Sequence, residues 1–276
     1  RVSDMKLSRP LLLVGCGKMG SAMLSGWVES GIAAGGVIAV EPMGLPPEFS
    51  GVAGIDVVAS ADDLADGLDP EGVVFAVKPQ QMDDVAPAYR RFAGANTAFL
   101  SIAAGKNIAY FTAQLGDGAA IVRAMPNTPA AIGQGITVCC SNATATGEQR
   151  ELGRQLLAAT GEAVVVDDEG LIDAVTALSG GGPAYVFLLI ECLAVAGVAA
   201  GLPSDLSDRL ALVTVAGSGQ LALASKEPPS TLRENVTSPG GTTLEALKIL
   251  MGDAGLQPLM TRAIAAATGR SRELAG

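Results

Sequence analysis

The chain has 276 residues, a formal net charge of -10 and no histidine, and aromatic residues make up 4% of it against 49% hydrophobic residues in all. The negative charge disfavours nucleic acid and anionic membranes as partners, and the lack of histidine excludes histidine acid/base chemistry and histidine-ligated zinc. The 4 cysteines have no spacing typical of a metal site or a disulfide framework, so we predict no metal and free thiols in a reducing cytosol.

Short β-branched runs alternate with helix-like stretches between Leu11 and Val166. This alternation predicts βαβ units and a parallel sheet, whose later strands are candidates for reversal at the edge. The predicted strands are residues 11–14, 37–40, 73–77, 98–102, 120–123, 136–140 and 163–166.

From Leu171 onward the segments lengthen, lose their β-branched clusters and become rich in Ala, Leu and Gly, which predicts helices. The chain length favours two domains. We predict an α/β dinucleotide-binding domain of the Rossmann type over residues 1–169 and an all-helical domain over residues 170–276. The predicted helix breaks are residues 180–183, 201–203, 227–230 and 238–241.

Residues 184–200 are apolar enough to suggest a membrane span, but the segment is short, carries Glu191 and has no basic flank. We therefore predict a helix buried in a core or a subunit interface, in a homodimer, because helices so apolar on nearly every face need a partner. The N-terminal stretch RVSDMKLSRP lacks the apolar core of a signal peptide, and Met5 is a candidate initiator. A cytoplasmic protein is expected.

A glycine-rich turn follows the first predicted strand and leads into a good helix former. Gly15 permits the tight turn, Gly17 lets the backbone approach a pyrophosphate, and Gly20 lets the helix pack on the strand. Glu41 ends the second strand about twenty residues later, where a carboxylate can bind the adenosine ribose. A turn without a ligand and a solvated acid are the alternatives. The predicted cofactor contacts in the turn are Gly15, Cys16, Gly17, Lys18, Met19 and Gly20.

Two further turns lie at the carboxyl ends of predicted strands. Ligands of open α/β sheets bind outside these ends, so both turns should line the nicotinamide half of a dinucleotide. An ordinary surface lysine is an equal alternative for Lys78. The predicted contacts are Ala76, Val77, Lys78, Pro79, Ala103, Ala104 and Gly105.

Three segments are unusual: RAMPNTPAAIGQG (residues 123–135), LIDAVTALSGGGPAYVF (171–187) and LRENVTSPGGTTLEAL (232–247). With GCGKMG and AVKPQ, they resemble the motifs of the Δ1-pyrroline-5-carboxylate reductase family, in the same order and over nearly the whole chain. SPGGTT is the most family-specific motif. The resemblance implies a Rossmann domain, a helical domain that forms an interlocked homodimer, and an active site shared between subunits, with a higher oligomer of dimers left open.

The resemblance also implies that the chain reduces 1-pyrroline-5-carboxylate to L-proline with NADH or NADPH. Thr243 would hold or protonate the ring nitrogen, and the backbone amides of Thr242 and Thr243 would hold the carboxylate. Asn127 and Pro129 would shape the floor beneath the nicotinamide, although a rigid turn there is an equal alternative. A hinge acid and a capping amide are the alternatives for Glu169 and Asn235. The remaining implied substrate contacts are Glu169, Asn235, Ser238, Gly240 and Gly241.

The SPGGTT segment has the chemistry of an anion site independently of the resemblance. It runs directly into LEALK, a good helix whose first-turn amides would be unpaired, and its glycines let a carboxylate approach the backbone. A plain Ser/Thr-capped helix is the alternative. Two positions depart from the family: Gly181 stands where a serine is usual, and residues 60–63 lack the asparagine that often contacts the adenosine side.

Two rival functions are weighed against reduction of the imine. A β-hydroxyacid dehydrogenase of the 6-phosphogluconate dehydrogenase kind needs a lysine acid/base early in the helix after the glycine turn, yet nothing basic lies between Ser179 and Arg209. A protein that senses a dinucleotide without catalysis stays open. An assay of cofactor oxidation separates it from an enzyme.

Overall fold

The computed structural model describes residues 6–275, so Met5 lies outside the described residues. Its sheet has 8 strands in the order β3-β2-β1-β4-β5-β6-β7-β8. The first six strands run parallel, β7 is antiparallel to β6, and β8 is parallel to β7, which confirms the predicted reversal at the edge. The strands are β1 (Leu11–Val14), β2 (Val37–Val40), β3 (Ile55–Val58), β4 (Gly72–Phe75), β5 (Ala98–Ser101), β6 (Ala120–Met125), β7 (Gly135–Ser141) and β8 (Gly161–Val165).

All seven predicted strands are present, with small shifts at their ends, but β3 was missed. It pairs only with β2, at the end of the strand order, and Asp56 interrupts its short apolar run. None of its four residues is fully buried. An edge strand of this kind lacks the continuous apolar run by which the other parallel strands were identified.

The carboxyl ends of the six parallel strands, β1 to β6, lie at the same edge of the sheet. Helices cover both faces of the sheet. Trp27 anchors one face, because its indole N–H donates a 2.8 Å hydrogen bond to the Leu156 carbonyl. Phe75 lies at the centre of the other face, with its ring 5.4 Å from that of Tyr89 and 5.6 Å from that of Phe111. The helices around the sheet are α1 (Lys18–Ser30), α2 (Met82–Val85), α3 (Ile108–Leu115), α4 (Gly147–Ala158) and α5 (Ile172–Val175), with a π-helical turn at Thr176–Gly180.

The chain divides into two compact units. One comprises the chain up to Gly180 with the C-terminal segment from Thr268, and the other comprises Gly181–Ala267. The predicted boundary after residue 169 stays a prediction. The region beyond the sheet is helical, as predicted: α6 (Gly182–Ala199), α7 (Ser204–Ala224), α8 (Pro229–Asn235), α9 (Thr242–Leu250) and α10 (Leu256–Ala275).

One further helix break, between α9 and α10, was not predicted. The sequence there is Met251-Gly252-Asp253-Ala254-Gly255. A Cβ on Gly255 would collide with the Leu250 carbonyl oxygen, so only glycine fits this turn. Two glycines three residues apart were the signal that identifies the break.

The second unit leaves much of its apolar surface uncovered within a single chain. Only Ala194 of α6 is buried, while Phe187 is 58% exposed and Val195 is 71% exposed. By length and composition alone, one helical stretch among the described residues, Glu169–Ala199, could cross a membrane, and 6% of its most apolar window is buried. These side chains require cover from outside the chain.

Candidate functional site

The glycine turn after β1 has the geometry that a dinucleotide needs. Gly15 has φ +90°, and a Cβ there would lie 2.7 Å from Cγ1 of Val77. A Cβ on Gly20 would lie 2.5 Å from the Gly15 carbonyl oxygen, so α1 packs directly on the turn. Gly17 differs, because a Cβ there would meet nothing within 4 Å. Glycine is thus required for folding at two positions and leaves open space at the third.

The start of α1 is open to an anion. Gly17 is the N-cap residue, no side chain caps this end, and the first turn carries no acidic residue. Lys18 is exposed beside it. Backbone N–H groups at an uncapped helix start bind phosphate well, because their hydrogen bonds and the helix dipole act together. A pyrophosphate therefore fits this turn.

Glu41 is tied to the glycine turn rather than being a free strand-end acid. Its Oε2 accepts a 2.8 Å hydrogen bond from the Cys16 backbone N–H, and its Oε1 accepts a 3.3 Å bond from the Met43 N–H. The carboxylate thereby links the end of β2 to the turn after β1. Burial, opposed by the Ser21 hydroxyl, raises the pKa of the neighbouring Cys16 thiol, so Cys16 is a neutral packing residue.

A cleft of about 460 Å³ opens beside Glu41 at the carboxyl edge of the sheet, and its volume suits an adenosine. No lysine or arginine is among its lining residues, all of which belong to the described part of the chain. The sequence had indicated Gly15, Glu41 and Val77, but not Ser60, Gln81, Asp84, Val85 or Ala88, which also line it. Ser60 donates from N–H and Oγ to Asp63 Oδ2, both at 2.9 Å. A turn motif at residues 60–63 was the available signal.

The turns after β4 and β5 lie at the same edge of the sheet. Ala76 and Val77 are half-buried against the glycine turn, whereas the Lys78 side chain is exposed. Ala103 is buried and Ala104 exposed. Gly105 has φ +74°, and a Cβ there would lie 3.2 Å from the Leu274 carbonyl oxygen. The predicted nicotinamide contacts are thus brought to one edge, with Lys78 free to reach a ligand.

Asn127 and Glu169 have partners inside the protein. The Asn127 Oδ1 accepts a 3.0 Å hydrogen bond from the Ile136 N–H, which fixes the turn after β6. Glu169 Oε1 accepts two bonds of 2.8 Å, one from the guanidinium of Arg123 and one from the Ile108 N–H. Arg123 was not predicted as a functional residue. A single charge inside the strand AIVRAM was the signal for it.

The Cys140 thiol lies beside this ion pair. Burial first, and then the negative charge of Glu169, raise its pKa to about 12, against the opposing effect of Arg123. The thiol is therefore protonated at neutral pH and unsuited to nucleophilic chemistry.

The SPGGTT segment forms a second open helix start, in the other unit. Gly241 is the N-cap residue of α9 without a side-chain cap, and Thr242 and Thr243 are exposed on its first turn. Gly240 has φ +71°, and a Cβ on Gly241 would collide with the Ser238 hydroxyl. The arrangement leaves backbone N–H groups open to a carboxylate.

Asn235 lies at the end of α8 and is exposed. Its side-chain amide donates a 3.1 Å hydrogen bond to Glu227 Oε2. The Asn235 side-chain amide is therefore held by Glu227 and is accessible to a ligand.

Two family models match the chain. One, described as pyrroline-5-carboxylate reductase dimerisation, matches residues 169–274. The other, described as NADP oxidoreductase, coenzyme F420-dependent, matches residues 11–105, which include the glycine turn and the turns after β4 and β5.

Curated relatives match over almost their entire length. The pyrroline-5-carboxylate reductase of Pseudomonas aeruginosa is 40% identical over 267 residues, which cover 96% of this chain and 96% of the relative. That of Pisum sativum is 38% identical over 269 residues, covering 97% and 96%.

Solved structures match in the same way. A pyrroline-5-carboxylate reductase from Coxiella burnetii superposes with a TM-score of 0.88 at 31% identity, covering 98% of this chain and 100% of that one. The pyrroline carboxylate reductase of Plasmodium falciparum with NADP bound gives a TM-score of 0.81 at 29% identity, covering 99% and 100%.

Proposed function

The chain belongs to the pyrroline-5-carboxylate reductase family, and from this premise we propose which residues carry out its reaction, the NAD(P)H-dependent reduction of 1-pyrroline-5-carboxylate to L-proline. The observation that carries the function is the match to the Pseudomonas aeruginosa reductase over 96% of both chains. The two uncapped helix starts, one suited to a pyrophosphate and one to a carboxylate, support the assignment of residues.

The cofactor is held by the glycine turn and the cleft beside it. The amides at the start of α1 bind the pyrophosphate, and Gly17 leaves space for its approach. Glu41 accepts hydrogen bonds from the adenosine ribose while it holds the turn. The turns at Lys78 and at Ala103–Ala104–Gly105, together with Asn127, line the nicotinamide half.

The substrate carboxylate binds at the start of α9. The N–H groups of Thr242 and Thr243 provide the hydrogen bonds, and the helix dipole adds a favourable charge interaction. Gly240 and Gly241 allow the approach, and the Ser238 hydroxyl lies against Gly241. Asn235, at the end of α8 in the same unit, completes this proposed set of substrate residues.

The chemical step needs little acid catalysis from the protein. When bound, the reduced cofactor supplies a hydride that adds to the imine carbon, so that the C=N bond becomes the C–N single bond of proline and the nitrogen carries the proton. An imine protonates readily near neutral pH, which suits a chain without histidine. The Thr243 hydroxyl holds or protonates the ring nitrogen, and the binding residues align the two reacting carbons.

The proposed assembly is a homodimer that acts in the cytoplasm. The exposed apolar residues of α6 need cover, and the family model that matches residues 169–274 is described by its dimerisation. A second copy of the chain covers them with the same surface, as a two-fold interface requires.

The test of the function is loss of absorbance at the reduced-nicotinamide band with 1-pyrroline-5-carboxylate present and absent. Oxidation that depends on the substrate, with proline as the product, is expected. A protein that binds NADH but oxidises none of it with the substrate present would be a dinucleotide sensor, and the proposed reaction would be wrong.

A further inference from the structure

Glu169 connects three parts of the first unit through one oxygen atom. Its Oε1 accepts hydrogen bonds from Arg123 in β6 and from the N–H of Ile108, the first residue of α3. Glu169 itself follows β8. The side chain of Arg123 is 6% exposed and that of Glu169 is 31% exposed, so the pair is partly buried and is screened less than a surface pair.

This contact fixes the start of α3, three residues after Gly105. Asn107 caps the same helix, since its Oδ1 accepts a 2.8 Å hydrogen bond from the Tyr110 N–H. The Lys106 N–H donates to the Ala103 carbonyl at 3.4 Å, which closes the turn. The Ala103–Ala104–Gly105 turn therefore runs directly into a helix start that Glu169 holds from outside the helix.

A second ion pair holds the same turn less firmly. Lys106 Nζ lies 2.9 Å from Asp83 Oδ1, but the Asp83 side chain is 65% exposed. An exposed pair of this kind contributes little, because water and salt screen it. Loss of Glu169 from the partly buried pair has a larger effect, since it leaves the charge of the buried Arg123 without compensation.

We propose that Arg123 and Glu169 are positioning residues that hold the Ala103–Ala104–Gly105 turn, and through it the nicotinamide ring, in the orientation for hydride transfer. The inference rests on the proposed function, which assigns this turn to the nicotinamide. It gives Glu169 an effect on the cofactor through Ile108, whereas the resemblance implies a contact with the substrate ring.

The two roles of Glu169 predict different kinetics for Glu169→Gln. This variant keeps the size of the side chain and removes its charge. If Glu169 positions the turn, the dissociation constant of NADH, measured by fluorescence titration without substrate, should rise roughly fivefold, about the effect of one lost hydrogen bond. The kcat should fall roughly tenfold to a hundredfold, because misplacement by about 1 Å has effects of this size. The KM for the substrate should change less than about threefold.

Arg123→Met tests whether the two residues act together. It should reproduce the rise in the NADH dissociation constant and the fall in kcat, although Arg123 is buried in the sheet. In the double variant the two losses should not add, because each single change already breaks the same ion pair. Additive losses would overturn the proposal.

Glu151→Gln is the matched control. Glu151 pairs with Arg154 on α4, so the variant removes the same charge from a carboxylate–arginine pair elsewhere in this unit. We expect its NADH dissociation constant and kcat to stay within about twofold of those of the unchanged chain, as for an exposed pair.

Three further outcomes would overturn the positioning role. A Glu169→Gln variant with a raised substrate KM and unchanged NADH binding would assign Glu169 to the substrate. An unchanged NADH dissociation constant and kcat in both Glu169→Gln and Arg123→Met would show that the pair does not position the turn. If Glu169→Gln fails to fold, the double variant, which removes both charges together, decides: wild-type NADH binding and kcat in it would overturn the proposal. If the unchanged chain does not reduce the substrate, the proposed function fails, whereas the NADH titrations still measure the effect of the pair on the cofactor.

Discussion

All four residues of β1 in the first unit are buried, whereas α6 in the second unit buries one of its 18 residues within the chain. Both segments are almost entirely apolar. The strand is covered on both faces by helices of its own unit, as parallel sheets are. The helix has no such cover in a single chain. Similar composition therefore supports a self-contained core in one unit and an interface in the other.

The two open helix starts show the same contrast. The glycine turn before α1 is held by Glu41 and packs against Val77. The SPGGTT turn before α9 is exposed, and its internal contacts are local, such as the 3.0 Å bond from the Gly241 N–H to the Ser238 carbonyl. We expect changes in the first unit to act on cofactor binding, and changes in the second to act on assembly and on the substrate.

The largest expected effect is that of Leu189→Lys on α6. Leu189 is 43% exposed in the single chain, and a lysine there would place a charge in the proposed dimer interface, which excludes water. Aggregation or loss of the folded dimer is expected by light scattering and circular dichroism. Val28→Lys on α1 is the control, because Val28 is also 43% exposed, and it should remain a dimer. A folded, active monomer of Leu189→Lys would contradict the contrast between the units.

Thr243→Val should affect the reaction more than binding. If the hydroxyl acts on the ring nitrogen as charge redistributes, kcat should fall roughly tenfold to a thousandfold. The KM should change much less, since valine is nearly isosteric and leaves the backbone N–H groups of α9 in place. An unchanged kcat with a raised KM would make the hydroxyl a binding contact only.

Gly241→Val is the companion change at the same helix start. A Cβ at this position collides with the Ser238 hydroxyl and occupies the approach of the carboxylate. We expect a raised KM for the substrate with NADH binding unchanged. If the NADH dissociation constant rose as much as the KM, the second unit would also act on cofactor binding, and the expected division of roles between the two units would be wrong.

The glycine turn offers a comparison within one motif. Gly15→Ala places a side chain at φ +90°, where it meets Val77, so the free energy of unfolding should fall by at least about 1–2 kcal/mol. Gly17→Ala has open space and an ordinary φ of -72°. The free energy of unfolding of Gly17→Ala should be unchanged. Its NADH dissociation constant should rise roughly tenfold, because the new methyl group lies where the pyrophosphate approaches. Denaturant titration measures the free energy of unfolding of each variant, and NADH fluorescence measures its NADH dissociation constant. Equal effects of the two variants on both quantities would contradict the prediction.

The smallest expected effect concerns the choice of cofactor. Glu41 should repel a 2′-phosphate, and no lysine or arginine of the described chain lines the cleft beside it. NADH should therefore be accepted at least as well as NADPH in kcat/KM. Lys18 is the nearest cation on the glycine turn, and an advantage for NADPH of roughly tenfold or more would show that it outweighs Glu41.

Periodicity and turn chemistry made most of the fold predictable. Seven strands, the reversal at the sheet edge and the helical second half follow from runs of apolar residues and the glycines between them. The edge strand β3 did not, because Asp56 interrupts it and only β2 supports it. The break at residues 251–255 was not predicted, although Gly252 and Gly255 mark it in the sequence.

The site was predictable as a set of turns, but not as a set of contacts. Glycines and the carboxyl ends of strands have local signatures, so Gly15, Glu41 and the SPGGTT segment were found. The other lining residues were not found, since they reach the cleft only because β1, β2 and β4 are neighbours in the sheet; they include Ser60, Gln81, Asp84, Val85 and Ala88.

The sequence by itself determined the class of fold, the helix starts that can bind anions, and the exclusion of histidine chemistry, because each depends on residue type and near neighbours in the chain. Only the tertiary structure decided which groups the side chains of Glu41, Arg123 and Glu169 contact. Apart from the Met43 N–H, which lies two residues after Glu41, their partners are 25 to 61 residues away in sequence. Such pairs are selected by the packing of strands and helices, and no local pattern specifies them.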